Sequence, residues 1–177
     1  MINTKNLIIG FDPGLINTGW GVLEKKNSSE KYIDHGCITT SKNEQLGKRL
    51  NLIYNKTLNL LRKYSPNAIA VEKIFANKNP ESTMKLGKAR AVIFLAAAKE
   101  NIDIFEYSPN TVKKNLVGYG HATKAQIVKM IERMFPYLKI KEDGKDSLPA
   151  LDENSADALA VAICHSMQKR SKIFLKR

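Results

Sequence analysis

Cysteine is nearly absent: 177 residues contain only Cys37 and Cys164, far apart and without CxxC spacing. That scarcity excludes a disulfide-stapled scaffold and a cysteine-built zinc site. Histidine is hardly commoner, with three residues, so the nitrogen and sulfur donors that zinc prefers are missing. No apolar stretch approaches the roughly 20 residues a membrane-spanning helix needs. The opening Met-Ile-Asn-Thr-Lys-Asn shows no charged segment followed by an apolar core and cleavage site, so the expectation is a reduced, cytoplasmic protein. Acidic residues are also in deficit. Seventeen Asp plus Glu face 29 Lys plus Arg, a formal charge of +12, which points to a polyanionic partner. The basic residues are not gathered on one amphipathic helix, which disfavours a membrane surface.

What is present suits a single packed unit. An apolar content of 43% argues against disorder, and the length predicts one domain over 1–177 with a basic, flexible tail over 168–177. The run Leu7-Ile8-Ile9-Gly10-Phe11 reads as a buried strand, and Gly19 to Glu24 and Tyr32 to Thr39 complete an antiparallel meander. Leucines and isoleucines at helical spacing predict a helix between Glu44 and Lys63, stopped by Ser65-Pro66-Asn67. Ala68-Ile69-Ala70-Val71 is apolar without alternation, as a strand covered on both faces should be. Helices are predicted over 82–100, in a short piece from Pro109, over 123–134 and over 156–167, with a further parallel-type strand over 102–107. The fold class is α/β, with a mixed five-stranded sheet flanked by helices.

Three carboxylates recur in a shared context. Asp12 ends the first strand, in Asp-Pro-Gly; Glu72 ends the later buried strand; Asp157 opens the last helix. Each has an ordinary reading alone, as turn former, ion-pair partner or helix-dipole charge. Together they matter more, because two of them end apolar strands where solvation is limited. If the two strands are neighbours, their ends converge. Hard oxygen donors of this kind bind Mg²⁺ or Mn²⁺, and a pair of ions about 3.5–4 Å apart can drive in-line attack on a phosphodiester. A basic protein with such a site would cut nucleic acid.

The segments Ile9-Gly10-Phe11-Asp12-Pro13-Gly14, Thr18-Gly19-Trp20-Gly21, Val71-Glu72-Lys73-Ile74-Phe75, Leu86-Gly87-Lys88-Ala89-Arg90, Val117-Gly118-Tyr119-Gly120 and Ala156-Asp157-Ala158-Leu159-Ala160 fall in order along the chain. In this set the sequence resembles the RuvC family of Holliday junction endonucleases. The resemblance implies a ribonuclease H-like fold, a homodimer, four-way junction DNA as substrate, two Mg²⁺ ions replaceable by Mn²⁺, and a branch-migration motor as a further partner. By position it implies Asp12, Glu72 and Asp157 as metal ligands, and a fourth ligand three residues before the last. That fourth position is Asn154, which can offer a carbonyl oxygen but no charge and no base. Cleavage is therefore expected to be weakened while junction binding survives. Asp152 and Glu153 stand close enough in sequence to be considered as substitutes.

Around these positions lie residues suited to DNA. The resemblance implies that Phe75 stacks on an unpaired base beside the crossover, and Lys78, Lys85, Lys88 and Arg90 are expected to meet phosphates. Lys113, Lys114 and Lys124 flank Gly118-Tyr119-Gly120-His121, where Tyr119 and His121 are further DNA-contact candidates. The resemblance places Lys113 and Lys124 near the scissile phosphate, with Lys124 catalytic through stabilisation of developing charge. His35 and His165 are read as structural. Competing readings are a junction-binding protein that does not cut, another ribonuclease H-like nuclease acting on ribosomal RNA precursors, and a sugar-kinase-like ATPase, disfavoured by length.

Overall fold

The computed structural model describes residues 6–26, 29–74, 80–139 and 151–168. Phe75, Lys78 and the tail from 169 onward lie outside the described residues. Five strands form one mixed sheet in the order β3-β2-β1-β4-β5. They are β1 (Leu7–Asp12), β2 (Asn17–Lys25), β3 (Glu30–Thr39), β4 (Ala68–Glu72) and β5 (Ile104–Tyr107). β1 pairs antiparallel with β2 and parallel with β4, and β4 pairs parallel with β5. The central pair β1 and β4 is thus covered on both faces, which explains apolar runs without alternation.

Two helices cover one face, α1 (Leu46–Tyr64) and α2 (Pro80–Lys99). Their buried Ile53, Leu58, Leu61, Ala89 and Ile93 pack with Ile9, Phe11, Val22, Ile69 and Val71. Three helices cover the other: α3 (Pro109–Val117), α4 (Lys124–Met134) and α5 (Glu153–Met167). There Val112, Leu116, Ile127 and Ile131 pack with Ile8, Leu23 and Ala70 around the buried length of α5. The period of two along each strand sorts these residues. On β1, Ile9 and Phe11 face α1 and α2, so Ile8, Gly10 and Asp12 face α5. On β4 the same parity turns Ala70 and Glu72 toward α5.

The helix starts follow local chemistry. Ser108 caps α3 by accepting from the Thr111 N–H, with Pro109 at the first turn. Thr123 and Gln126 form a reciprocal capping box on α4. Asp152 caps α5, its Oδ1 accepting from Ser155 N–H at 2.9 Å. α5 consequently begins at Glu153, three residues before the sequence pattern suggested, because the apolar pattern registers only where the helix becomes buried. Asp157 therefore sits in the second turn and not the first.

α5 lies directly on the sheet. A Cβ at Gly10 would come within 2.0 Å of the Ala158 carbonyl oxygen, and one at Gly19 within 2.0 Å of the Asn154 carbonyl oxygen. Both distances fall far inside van der Waals contact, so only glycine permits this approach. The glycines of the first two strands are the reason the acidic helix reaches the strand ends.

Candidate active site

Asp12 and Glu72 stand side by side. The β1–β4 register runs through Phe11 opposite Val71, so the next residue on each parallel strand is the carboxylate, and both face α5. The turn after Asp12 is pinned. Thr18 Oγ1 donates to the Gly14 carbonyl at 2.6 Å, Thr40 Oγ1 donates to Leu15 O at 2.5 Å, and Arg49 Nη2 donates to the same oxygen at 3.0 Å. These anchors carried no signal in the sequence: Thr40 and Arg49 come from β3's end and α1, and only the fold brings them to the Asp-Pro-Gly turn.

Asp157 reaches the pair from α5, and Lys113 of α3 and Lys124 of α4 close the group. Glu72, Lys113, Lys124 and Asp157 line a cleft of about 170 Å³ floored by Val112, Ile127 and Ala160. Lys124 Nζ lies 3.4 Å from Asp157 Oδ2 and 3.2 Å from Glu153 Oε2. Burial, then the charges of Asp157 and Glu72, push Asp12 up to about 7. Burial and the charge of Asp157 push Glu72 up to about 7, against the opposing pull of Lys113 and Lys124. Asp157 is raised too, by burial, with Lys124 partly compensating. The cluster is a set of carboxylates that burial and mutual repulsion make costly to ionise.

Among the described residues, no three His, Cys, Asp or Glu side chains form a ready-made metal-ligating group. The donor chemistry nonetheless fits a hard divalent cation: the carboxylates of Asp12, Glu72 and Asp157 repel one another or resist burial, and the ammonium of Lys124 pairs with Asp157. Asn154 occupies the same first turn of α5 as Glu153, three residues before Asp157, so the two share a helix face. Asp152, considered as a substitute, uses its Oδ1 to cap α5. Cys37, opposite Gly19 on β3, also lies near, close enough for Asp152 and Asp12 to add to the upward shift that burial gives its thiol.

The proposed DNA-contact residues divide. Lys88 and Lys114 are exposed, as are Tyr119 and His121, and Tyr119 donates its hydroxyl to Gln126 Oε1 at 2.8 Å. Lys85 is exposed and pairs with Glu81 one turn away on α2. Arg90 pairs its guanidinium with Glu106 of β5 and lies over the Phe94 ring at 4.5 Å, so it also ties α2 to the sheet. The histidines read as structural are so: His35 Nδ1 and His165 Nδ1 each lie 2.7 Å from a tyrosine hydroxyl, of Tyr32 and Tyr107 respectively.

Comparison with known proteins identifies the family. The family model described as crossover junction endodeoxyribonuclease RuvC matches residues 8–165. The RuvC crossover junction endodeoxyribonuclease of Thermosipho melanesiensis is 42% identical over 163 residues, covering 92% of this chain and 98% of that protein. That of Thermotoga maritima is 42% identical over 165 residues, covering 93% of each. Among solved structures, T. thermophilus RuvC in complex with a Holliday junction substrate superposes with a TM-score of 0.78 at 30% identity, over 91% of this chain and 93% of the other. The chain belongs to the RuvC family of crossover junction endodeoxyribonucleases.

Proposed function

We propose that this chain is a Holliday junction resolvase, hydrolysing phosphodiesters at four-way DNA junctions through the cluster of Asp12, Glu72 and Asp157. The observation that supports it best is a cleft lined by the half-buried Glu72 and Asp157 with Lys113 and Lys124, with Asp12 close enough for its charge and theirs to repel, in a chain of this family. Asp12, Glu72 and Asp157 would hold the divalent cation, with Asn154 offering a neutral carbonyl oxygen. When bound, Mg²⁺, or Mn²⁺ in its place and most effectively as two ions, supplies Lewis acidity to the phosphodiester and acidity to water. Lys113 and Lys124 neutralise the phosphate that enters between them and the carboxylates, and Lys124 stabilises charge that develops during hydrolysis. The exposed Lys88 and Lys114, with Tyr119 and His121, guide the arms of the junction.

A junction has two-fold related strands, and paired cuts need two sites related by the same symmetry. The outer face of α2 suits the contact: Met84 and Leu95, 63% and 59% exposed, lie along one side of the helix with Gly87 and Ala91 between them. A homodimer paired through this face is part of the reading, as is a branch-migration motor that acts on the same junction.

Asn154 favours a second reading, a protein that holds junctions and cuts them poorly. One experiment decides between them. A labelled mobile four-way junction and a matched linear duplex are incubated with wild type, Asp12→Asn and Asn154→Asp, with and without Mg²⁺, and scored for binding and nicks. Mg²⁺-dependent paired nicks in the junction alone, lost in Asp12→Asn and faster in Asn154→Asp, support the resolvase. Selective binding with no nicks in wild type and restored nicks in Asn154→Asp supports the second reading.

A further inference from the structure

The first turn of α5 departs from a four-acid arrangement in two linked ways. Asn154 brings no charge to the cluster, whereas Glu153, one residue earlier, brings one beside Lys124. Glu153 is the first helical residue after the Asp152 cap, four residues before Asp157, so the two carboxylates lie on neighbouring turns of one helix face. Lys124, the first residue of α4, places its ammonium between them, 3.2 Å from Glu153 Oε2 and 3.4 Å from Asp157 Oδ2. The capping box at Thr123 and Gln126 fixes the start of α4, and hence where that lysine emerges.

This shared ammonium sets up a competition. A divalent cation that takes Asp157 as a ligand must share its oxygens with Lys124 or move the ammonium aside. An alkylammonium keeps its proton at neutral pH, so Lys124 has to move rather than lose its charge. It needs somewhere to go. Asp152 Oδ1 already accepts from the Ser155 N–H, and Asn154 has no charge to offer. Glu153, with 72% of its side chain exposed, is the second anchor within reach.

We propose that Glu153 is a positioning residue that draws Lys124 off Asp157 as the cation binds, keeping the ammonium beside the cleft for the phosphate and substituting in charge, though not in ligation, for the acid that Asn154 lacks. This rests on the cluster being a cation site. The exposed pair is weak in itself, so its effect is one of placement and of modest size.

The test is Mn²⁺ affinity, read without DNA or cleavage by the electron paramagnetic resonance signal of free Mn²⁺, at fixed pH in about 0.1 M salt. Glu153→Gln weakens binding about fivefold, since Lys124 is left with Asp157 as its one charged partner. Lys124→Met tightens binding, and in that background Glu153→Gln changes it less than about twofold. Thermal unfolding of each variant confirms that the exposed substitutions leave the fold intact. An equal effect of Glu153→Gln with and without Lys124 would show that the glutamate acts on the cation directly, and no effect in wild type would show that it does not act; either overturns the proposal. Asp12→Asn separates the two levels. If Asp12→Asn loses Mn²⁺ while Glu153→Gln matches wild type, only the role of Glu153 falls; if Asp12→Asn binds as wild type does, the cation site and the role of Glu153 fall together.

Discussion

Replacing Asp12 by Asn should stabilise the protein while abolishing its chemistry, and the pH dependence of that gain is a direct test of the site's electrostatics. Asp12 is pushed from an ordinary value of 3.8 up to about 7 by burial and by the charges of Asp157 and Glu72. A carboxyl whose folded pKa lies above its unfolded one binds its proton more tightly in the native state, so stability falls as pH rises between those two values. Above about 7 the penalty is complete; below about 4 it is gone. At about 1.4 kcal/mol for each tenfold change in proton affinity, the full shift corresponds to about 4 kcal/mol, an upper bound because Glu72 and Asp157 relax once one member is neutral. About half of that, ~2 kcal/mol, is expected to appear. With a urea dependence of about 2 kcal/mol per molar, the Asp12→Asn midpoint should lie about 1 M above wild type at pH 8 in the presence of EDTA. At pH 5 the gain should shrink to less than half. Added Mg²⁺ should raise the wild-type midpoint and leave the variant unmoved. Equal midpoints at pH 8, or a gain that does not change with pH, would refute the picture of three carboxylates held against burial and repulsion.

Gly10→Ala would force a methyl to within 2.0 Å of the Ala158 carbonyl oxygen and 2.9 Å of the Ala162 nitrogen, so α5 must lift from the sheet; a loss of about 3 kcal/mol or more, or failure to fold, is expected in urea unfolding, and a wild-type midpoint would contradict the packing. Junction affinity should fall steeply with salt: if Lys85, Lys88, Lys113, Lys114 and Lys124 each neutralise a phosphate, log affinity against log salt has a slope near −4.5 per protomer, and a slope shallower than about −2 in a gel-shift titration would remove most of them from the interface.

The sheet was legible because its burial is legible. β1 and β4 are covered on both faces, and uninterrupted apolar runs ending in a carboxylate can be recognised without knowing what covers them. The parity that turns Asp12 and Glu72 to one side follows from the same runs. α5 was harder at its start, since Glu153 and Asn154 are polar and break the apolar pattern; the Asp152 cap was the available signal. The pinning of the Asp-Pro-Gly turn by Thr40 and Arg49 was invisible, because those residues approach from distant segments. The partner of Arg90 was invisible for a related reason. Among lysines on a helix it looks like one more phosphate contact, and only the position of Glu106 on β5 reveals an ion pair. Charge count identifies a partner's sign, whereas the fold decides which charges remain free to meet it.

The placement of the carboxylates and the stability of the scaffold have one origin and opposite signs. Gly10 and Gly19 let α5 press against the strands, and that contact buries an apolar length from Ala156 to Cys164 in which residue after residue is inaccessible to solvent. The same contact delivers Asp157 to the ends of β1 and β4 and removes the water that would have solvated all three acids. A looser helix would relieve the repulsion and lose the site. The fold therefore tolerates a local penalty of a few kcal/mol because the layers on both faces of the sheet supply a much larger gain, and it leaves at the strand ends a concentration of negative charge that a divalent cation would relieve at neutral pH and above. Lys124 meets part of that demand with a single charge at one edge. The remainder is the driving force for binding a divalent ion, which is why neutralising Asp12 is expected to strengthen the protein and silence it together.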